Sequence, residues 1–342
     1  MGLNAPSAAL LAEARRAGVS FTETITIGRM GLAVPEAELT AIAQGLVLPL
    51  DSGRELVRDR YADRFFSCLL GAARVRAIDY SKYQQADVIH DLNQPVPKEL
   101  HESCDVCFDG GTMEHVFDVR QVLANYMNLV KTGGHVFINV PANNLFGHGF
   151  YQFSSEFFYR VFAPANGFVV RDMLVIESPF ISVEVSRDWR CYRTVDPADV
   201  GKRVRLVSDK PLMIFVHAEK VERLKPFAQP PLQSDYQTRW SREEPSQNEP
   251  ARNAEFRNHV SRQFAYLTWW QEIRRRLKQR RKHSLSNRKF WELYTIVPHK
   301  HQYPIDFGGP LAAQSHGSGN HALNYRGAEQ HGTRTNAGAA RK

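Results

Sequence analysis

The run Asp105-Val106-Cys107-Phe108-Asp109-Gly110-Gly111-Thr112-Met113-Glu114-His115-Val116 constrains the fold of this chain more than any other stretch. An apolar strand stops abruptly at an acid, two glycines and a threonine, and Glu114-His115 then opens what reads as an amphipathic helix. Glycines at such a point let a ligand lie against bare backbone at a strand's carboxyl end, where open α/β sheets bind their ligands. Thr112 is placed to cap the helix, whose first N–H groups would face the same crevice. About twenty residues on, Lys131-Thr132-Gly133-Gly134 turns into a second buried strand, His135 to Val140.

The flanking sequence extends this pattern. Residues 7–17 have helical spacing and stop at Gly18, and residues 21–27 read as a first strand ending in Gly28-Arg29-Met30-Gly31. Pro35 opens a helix to about residue 44, and 54–70 forms a second amphipathic helix. Strands follow at 75–79 and 86–90, helices at 120–130 and 155–162, and further strands at 168–176, 203–207 and 212–220. The fold class is therefore α/β: a Rossmann-like, mostly parallel sheet with an antiparallel terminal hairpin, plus a basic helical C-terminal extension. The domains divide as 1–222 with an insertion at about 35–72, an irregular linker at 223–252, a basic helical extension at 253–307, and a tail at 308–342 whose composition predicts disorder.

At 342 residues and 43% hydrophobic content, the chain suits one large domain with extensions. It shows neither a run of about 18 apolar residues nor a signal-peptide pattern, which predicts a cytoplasmic protein. Cys68, Cys104, Cys107 and Cys191 make no disulfide framework. Cys104 and Cys107 have CxxC spacing but opposite parities of one strand, and no second pair exists, so no metal site is expected. Of the net charge of +8, residues 251–300 carry more than the whole, with thirteen Lys/Arg against three Glu. The rest of the chain is near neutral and does not suit a polyanion.

Three acids end three successive predicted strands: Asp79, Asp91 and Asp109. Each alone reads as a cap or a solvated turn; three in sequence point to one pocket. The segments 79–83, 90–95, 109–116 and 143–153 together resemble the class I S-adenosylmethionine-dependent methyltransferases, in a bacterial branch of methyltransferase-domain proteins; the resemblance covers about residues 23–220. It implies S-adenosylmethionine as cofactor, with Gly28, Arg29 and Gly31 against its methionine part. Asp79 would hold the ribose hydroxyls, Asp91 and Leu92 would lie beside adenine, and Asp109, Gly110 and Gly111 would lie near the reactive methyl. It also implies a saccharide or other small polar acceptor. Two departures stand out. The glycine loop is reduced to Gly28-Arg29-Met30-Gly31. Asp79 follows Gly28 by 51 residues rather than the usual twenty or so, whereas Asp91 follows Asp79 by only 12.

Methyl transfer to a hydroxyl needs a proton acceptor, and His148 and His115 are the imidazoles at strand-end positions. His148, in a Gly-His-Gly loop, is the chosen base, with Tyr151, Glu114 and Asn144 orienting it; a role in shaping the turn is the alternative. The basic helix carries Tyr266, Trp269, Trp270, Ile273 and Leu277 at helical spacing beside Arg274-Arg275-Arg276. That stripe would dock on the sheet domain, make peripheral contact with an anionic membrane through 266–282, or bind nucleic acid, for which no reading motif is present. Two rival functions remain: a non-catalytic nucleotide- or nucleotide-sugar-binding relative, and a nucleic-acid methyltransferase. Against the latter, Asp109-Gly110-Gly111-Thr112 stands where many amino-group methylating enzymes carry Asn/Asp-Pro-Pro-aromatic.

Overall fold

A computed structural model describes residues 2–49, 56, 60–177, 189–241 and 265–296, all within one compact unit, 1–300. Helix α1 (Ala5–Arg16) is capped by Asn4, whose side chain accepts from the Ser7 N–H, and ends before Gly18 at φ 99°. Strands β1 (Gly2–Asn4) and β3 (Gly31–Ala33) form a small parallel pair. The main sheet contains β2 (Glu23–Ile27), β4 (Arg74–Asp79), β5 (Val88–Ile89), β6 (Cys104–Asp109), β7 (Val130–Asn143), β8 (Phe168–Glu177), β9 (Arg190–Thr194), β10 (Leu212–Lys220) and β11 (Trp291–Tyr294).

Its order is β11-β9-β8-β10-β7-β6-β2-β4-β5. β7, β6, β2, β4 and β5 are parallel neighbours, and β10 runs antiparallel between β7 and β8. The expected mostly parallel sheet is present, but its antiparallel pairings join β10 to β7 and β8, β8 to β9, and β9 to β11, and not 203–207 to 212–220. The chain leaves β2 toward β4 and β5, then returns across β2 to β6 and β7. The order reverses between β2 and β6, which makes the carboxyl ends of these two strands a topological switch point.

Side chains alternate across this sheet and build a core on each face. Phe108, Phe137, Leu174 and Phe215 pack with α1 and with Phe65, Phe66 and Leu69 from a π-type turn at Phe65–Leu69. Ile25, Cys107, Val136, Ile138 and Val216 pack on the other face with helices α3 (Val119–Leu129) and α4 (Ser155–Val161). Helix α2 (Glu36–Gly45) follows β3 in the insertion. Of the helix expected at 54–70, residues 50–55 and 57–59 lie outside the described residues.

Several expectations need correction. The helix after β6 does not begin at Thr112. Residues Met113–His115 make one 3₁₀ turn, Val116 is extended, and α3 starts at Val119 behind an Asp118 cap that accepts from the Gln121 N–H. Cys104 and Cys107 share one face because the ladder slips between Cys104 and Val106. Burial pushes the Cys104 thiol up to about 12 and Cys107 well up, so both stay as thiols. Residues 203–207 are not a strand; β9, unforeseen, takes the place beside β8. In the stretch read as linker and helical extension, helix α5 (Ser234–Ser241) precedes helix α6 (Ala265–Lys282), and β11 then joins the sheet edge beside β9. The side chains of Tyr266, Trp269 and Trp270 and all of 308–342 lie outside the described residues, while Leu277 is 62% exposed. Among the described residues, no helix is long and apolar enough to cross a membrane.

Candidate active site

The strand register fixes the rim of the switch point. Ile27 pairs with Ile78 on one side and with Asp109 on the other, which sets Gly28 between Asp79 and Gly110. Gly28 (φ 76°) donates its N–H to the Ile78 carbonyl at 2.6 Å. Asp79 accepts only at 3.4 Å, from the backbone N–H groups of Arg29 and Ser81, so its carboxylate retains capacity for a ligand. Between β4 and β5 there is only a short turn, Lys82–Gln84, in keeping with the close spacing of Asp79 and Asp91.

Other expected cofactor residues take different places. The Arg29 guanidinium donates to the carbonyls of Gln84 and Gln85, lies 4.3 Å over the Tyr61 ring and stands 3.6 Å from Asp63. It clamps the loop beside Asp79. Gly31 belongs to β3, paired with Gly2 and bridged to Tyr61, so its backbone does not floor the crevice. Asp91 accepts from the backbone and side-chain amides of Asn93, which hold its carboxyl below the usual range. Leu92 is buried, and its carbonyl accepts from Asn125 of α3, which also anchors Gln94 and Val96.

Asp109 is the largest correction. It is fully buried, and its carboxylate accepts from the N–H groups of Gly111, Thr112 and Met113 and from the Tyr126 hydroxyl. Burial raises its pKa, against the opposing pull of these four donors, Tyr126 foremost. This carboxylate builds the turn rather than meeting a ligand. It also explains why Thr112 caps nothing: the Thr112 hydroxyl donates to the Ile27 carbonyl and ties β6 to β2. A Cβ added at Gly110 would lie 2.7 Å from the Met30 sulfur, so Met30 covers one side of that backbone.

The turn places Glu114 beneath the loop after β7. Phe150 donates its N–H to the Glu114 carbonyl at 2.7 Å, and Gly149 passes so close that a Cβ there would be 2.8 Å from the same oxygen. This contact brings the His148 Nε2 to 3.5 Å from Glu114 Oε1, and His115 Nε2 lies 3.8 Å from that oxygen. The imidazole rings are 5.4 Å apart. Glu114 has no solvent exposure, and neither carboxylate oxygen accepts a hydrogen bond from another described residue. Burial, with Asp109 nearby, pushes its carboxyl up to about 8. Desolvation, reinforced by His148, lowers the pKa of His115.

Sequence reasoning set Glu114 beside His148 but did not join His115 to the same carboxylate. It also misplaced their supports. Asn144 donates to the carbonyls of Ser208 and Lys210, away from His148, and the Tyr151 hydroxyl donates to the Phe117 carbonyl. Both fix the loop rather than orient a base. Asn139 was missed: it stands next to Gly110 by register, 2% exposed, with a buried and unpartnered Oδ1. A polar residue within the apolar run Val136 to Val140 was the available signal.

No family model matches the chain, and no curated protein matches its sequence. Solved structures overlap it in part. A Bacillus halodurans protein provisionally named a methyltransferase shares 12% identity at a TM-score of 0.38, covering 63% of this chain and 99% of that one. A Burkholderia thailandensis 1,6-didemethyltoxoflavin-N1-methyltransferase, crystallised with 1,6-didemethyltoxoflavin and S-adenosylhomocysteine, shares 13% at 0.33, covering 63% and 79%. A 16S rRNA (adenine(1408)-N(1))-methyltransferase from Catenulisporales acidiphilia shares 11% at 0.29, covering 66% and 96%. Parallel β5, β4, β2, β6 and β7, with antiparallel β10 beside β7, make the Rossmann-like, mostly parallel sheet expected from the sequence.

Proposed function

We propose that the protein transfers a methyl group from S-adenosylmethionine to an oxygen of a small polar acceptor, such as a saccharide or glycolipid precursor. The observation that carries this reading is the switch-point rim. Gly28 backbone lies beside the under-used Asp79 carboxylate on one flank, and Gly110-Gly111 lead to Glu114, His115 and His148 on the other. Asp79 would hold the ribose, the 90–94 loop would face adenine, and the Glu114–His115–His148 group would activate the acceptor. Alignment of the acceptor oxygen with the methyl carbon would supply most of the rate, up to roughly 7–11 kcal/mol for ideal positioning. Proton removal would add a factor of about 10²–10⁴.

Calorimetric titration of the whole chain with S-adenosylmethionine and S-adenosylhomocysteine tests the reading. The expected result is micromolar affinity for both, weakened at least about tenfold by Asp79→Asn, the loss of one charge-assisted contact. Transfer of labelled methyl into a pool of polar metabolites and nucleotide-sugars should fall about 10²-fold or more in His148→Gln, with cofactor affinity retained. Failure of both sulfur compounds to bind would overturn it. A second reading, a non-catalytic nucleotide-sugar binder, draws support from Met30 lying over Gly110 and from the Arg29 guanidinium being turned to the Gln84 and Gln85 carbonyls. Binding of a nucleotide-sugar alone would decide for it.

A further inference from the structure

Glu114, His115 and His148 have a property that methyl transfer does not require. Each offers one ligand atom, a carboxylate oxygen or an imidazole nitrogen, and these three atoms all lie within 4.8 Å of one another. In a tetrahedral zinc site with bonds of about 2.0–2.1 Å, neighbouring donors stand about 3.4 Å apart. Two of the separations here, 3.5 Å and 3.8 Å, approach that value without any ion. The carboxylate is the decisive element. It is completely buried, aimed between two imidazoles, and without a hydrogen-bond donor on either oxygen. A buried carboxylate left unpaired is costly, and such groups are found paired, neutralised or coordinating a metal.

We propose that Glu114, His115 and His148 bind a divalent transition-metal ion of the zinc or cobalt type. Two imidazoles and one carboxylate suit such borderline ions better than magnesium or calcium, which take mostly oxygen ligands. Three protein ligands leave at least one coordination position open, the pattern of reactive rather than purely structural sites. The chain builds the triad from two segments, the turn after β6 and the loop after β7, joined by the Phe150 N–H to Glu114 bond. His115 and His148 are 41% and 48% exposed, so an ion can enter from solvent. The cluster abuts Gly111, whose added Cβ would lie 3.2 Å from Glu114 Oε1. If the methyl-transfer reading holds, the open position would orient the acceptor oxygen, and His148 would serve as ligand rather than free base. The ion site itself stands on the donor set alone.

The test uses the tag-free full chain, stripped with chelator, dialysed and titrated with Co²⁺, then Zn²⁺ as competitor. The expected result is one equivalent of cobalt with a visible d–d absorption that zinc abolishes. His148→Gln and Glu114→Gln should each weaken cobalt affinity at least tenfold, and far-ultraviolet dichroism should show both folded. His148→Gln lies on an exposed loop and keeps the test valid should Glu114→Gln fail to fold. No stoichiometric cobalt, or cobalt bound equally by His148→Gln, overturns the proposal; the latter would assign the ion to histidines elsewhere. S-adenosylmethionine titration of the same samples separates the two readings, since cobalt can bind whether or not the sulfonium compound does.

Discussion

At the scale of single residues, Asp79 and Asp109 end the two strands that flank β2. Asp79 and Asp109 look alike as strand-terminal acids, yet one keeps spare acceptor capacity and the other is consumed by its own turn. The difference lies in the backbone immediately downstream. Gly111 at φ 107° lets three successive N–H groups curl back onto Asp109, whereas the chain beyond Asp79 presents only the Ser81 N–H. Asp109→Ala should therefore act on stability, stranding the buried N–H groups of Gly111 and Met113, the half-buried one of Thr112 and the Tyr126 hydroxyl, at a cost of about 3–5 kcal/mol in urea unfolding. Tyr126→Phe, which removes one donor to a charged acceptor, should cost about 1–3 kcal/mol. A loss below about 1 kcal/mol for Asp109→Ala would contradict this assignment.

At the scale of elements, legibility followed burial. β6, β7 and β10 were readable within a few residues because their buried faces repeat every second position or run continuously apolar. β9, Arg-Cys-Tyr-Arg-Thr, and β11, Trp-Glu-Leu-Tyr, carry charge or lie beside a basic helix, and local pattern gave no sign of them. Their strand character comes from pairing with each other and with β8, a long-range effect that outweighs propensity. The 3₁₀ turn after β6 was misread as helix: His115 and Val116 bond the carbonyls three residues back, and the chain is already extended at Val116, so the turn does not propagate.

The loop after β7 depends on one absence, the missing side chain at position 149. Gly149→Ala would put a methyl 2.8 Å from the Glu114 carbonyl oxygen and 2.9 Å from its Cγ, forcing the segment away and breaking the Phe150 N–H bond. The Phe150 amide should lose its hydrogen-exchange protection, and cobalt affinity should fall at least tenfold, with the melting temperature nearly unchanged. Retained protection at Phe150 would refute this account.

At the scale of the whole molecule, acid sensitivity should arise far from the rim. His217 of β10 stacks on Phe137 at 4.2 Å and shares a 3.0 Å hydrogen bond with His135 of β7. Asp172 and Arg171 come from β8; Glu219 of β10 stands near His135; Glu13 of α1 and Tyr294 of β11 line the same cavity of about 120 Å³. Burial first, then His135 and Arg171, lowers the pKa of His217 to about 3. Between about pH 6.5 and 3 the unfolded chain therefore binds a proton that the folded chain refuses, so stability falls on acidification. The slope is about 1.4 kcal/mol per pH unit for this imidazole, or about 2 kcal/mol between pH 6.5 and 5. Urea midpoints across that range should follow this slope, and His217→Leu should flatten it. An equal slope in the variant would place the acid-sensitive group elsewhere.

The sheet's two margins are both short: two residues at β5 and four at β11, the latter carrying an outward Glu292 and an exposed Leu293. Ladders this brief offer a neighbouring molecule little backbone to zip onto. The late return of the chain as β11 covers β9, whose unpaired amides would otherwise invite self-association. A chain cut before Trp291 should thus keep its crevice yet clump at concentrations where the intact protein stays dispersed.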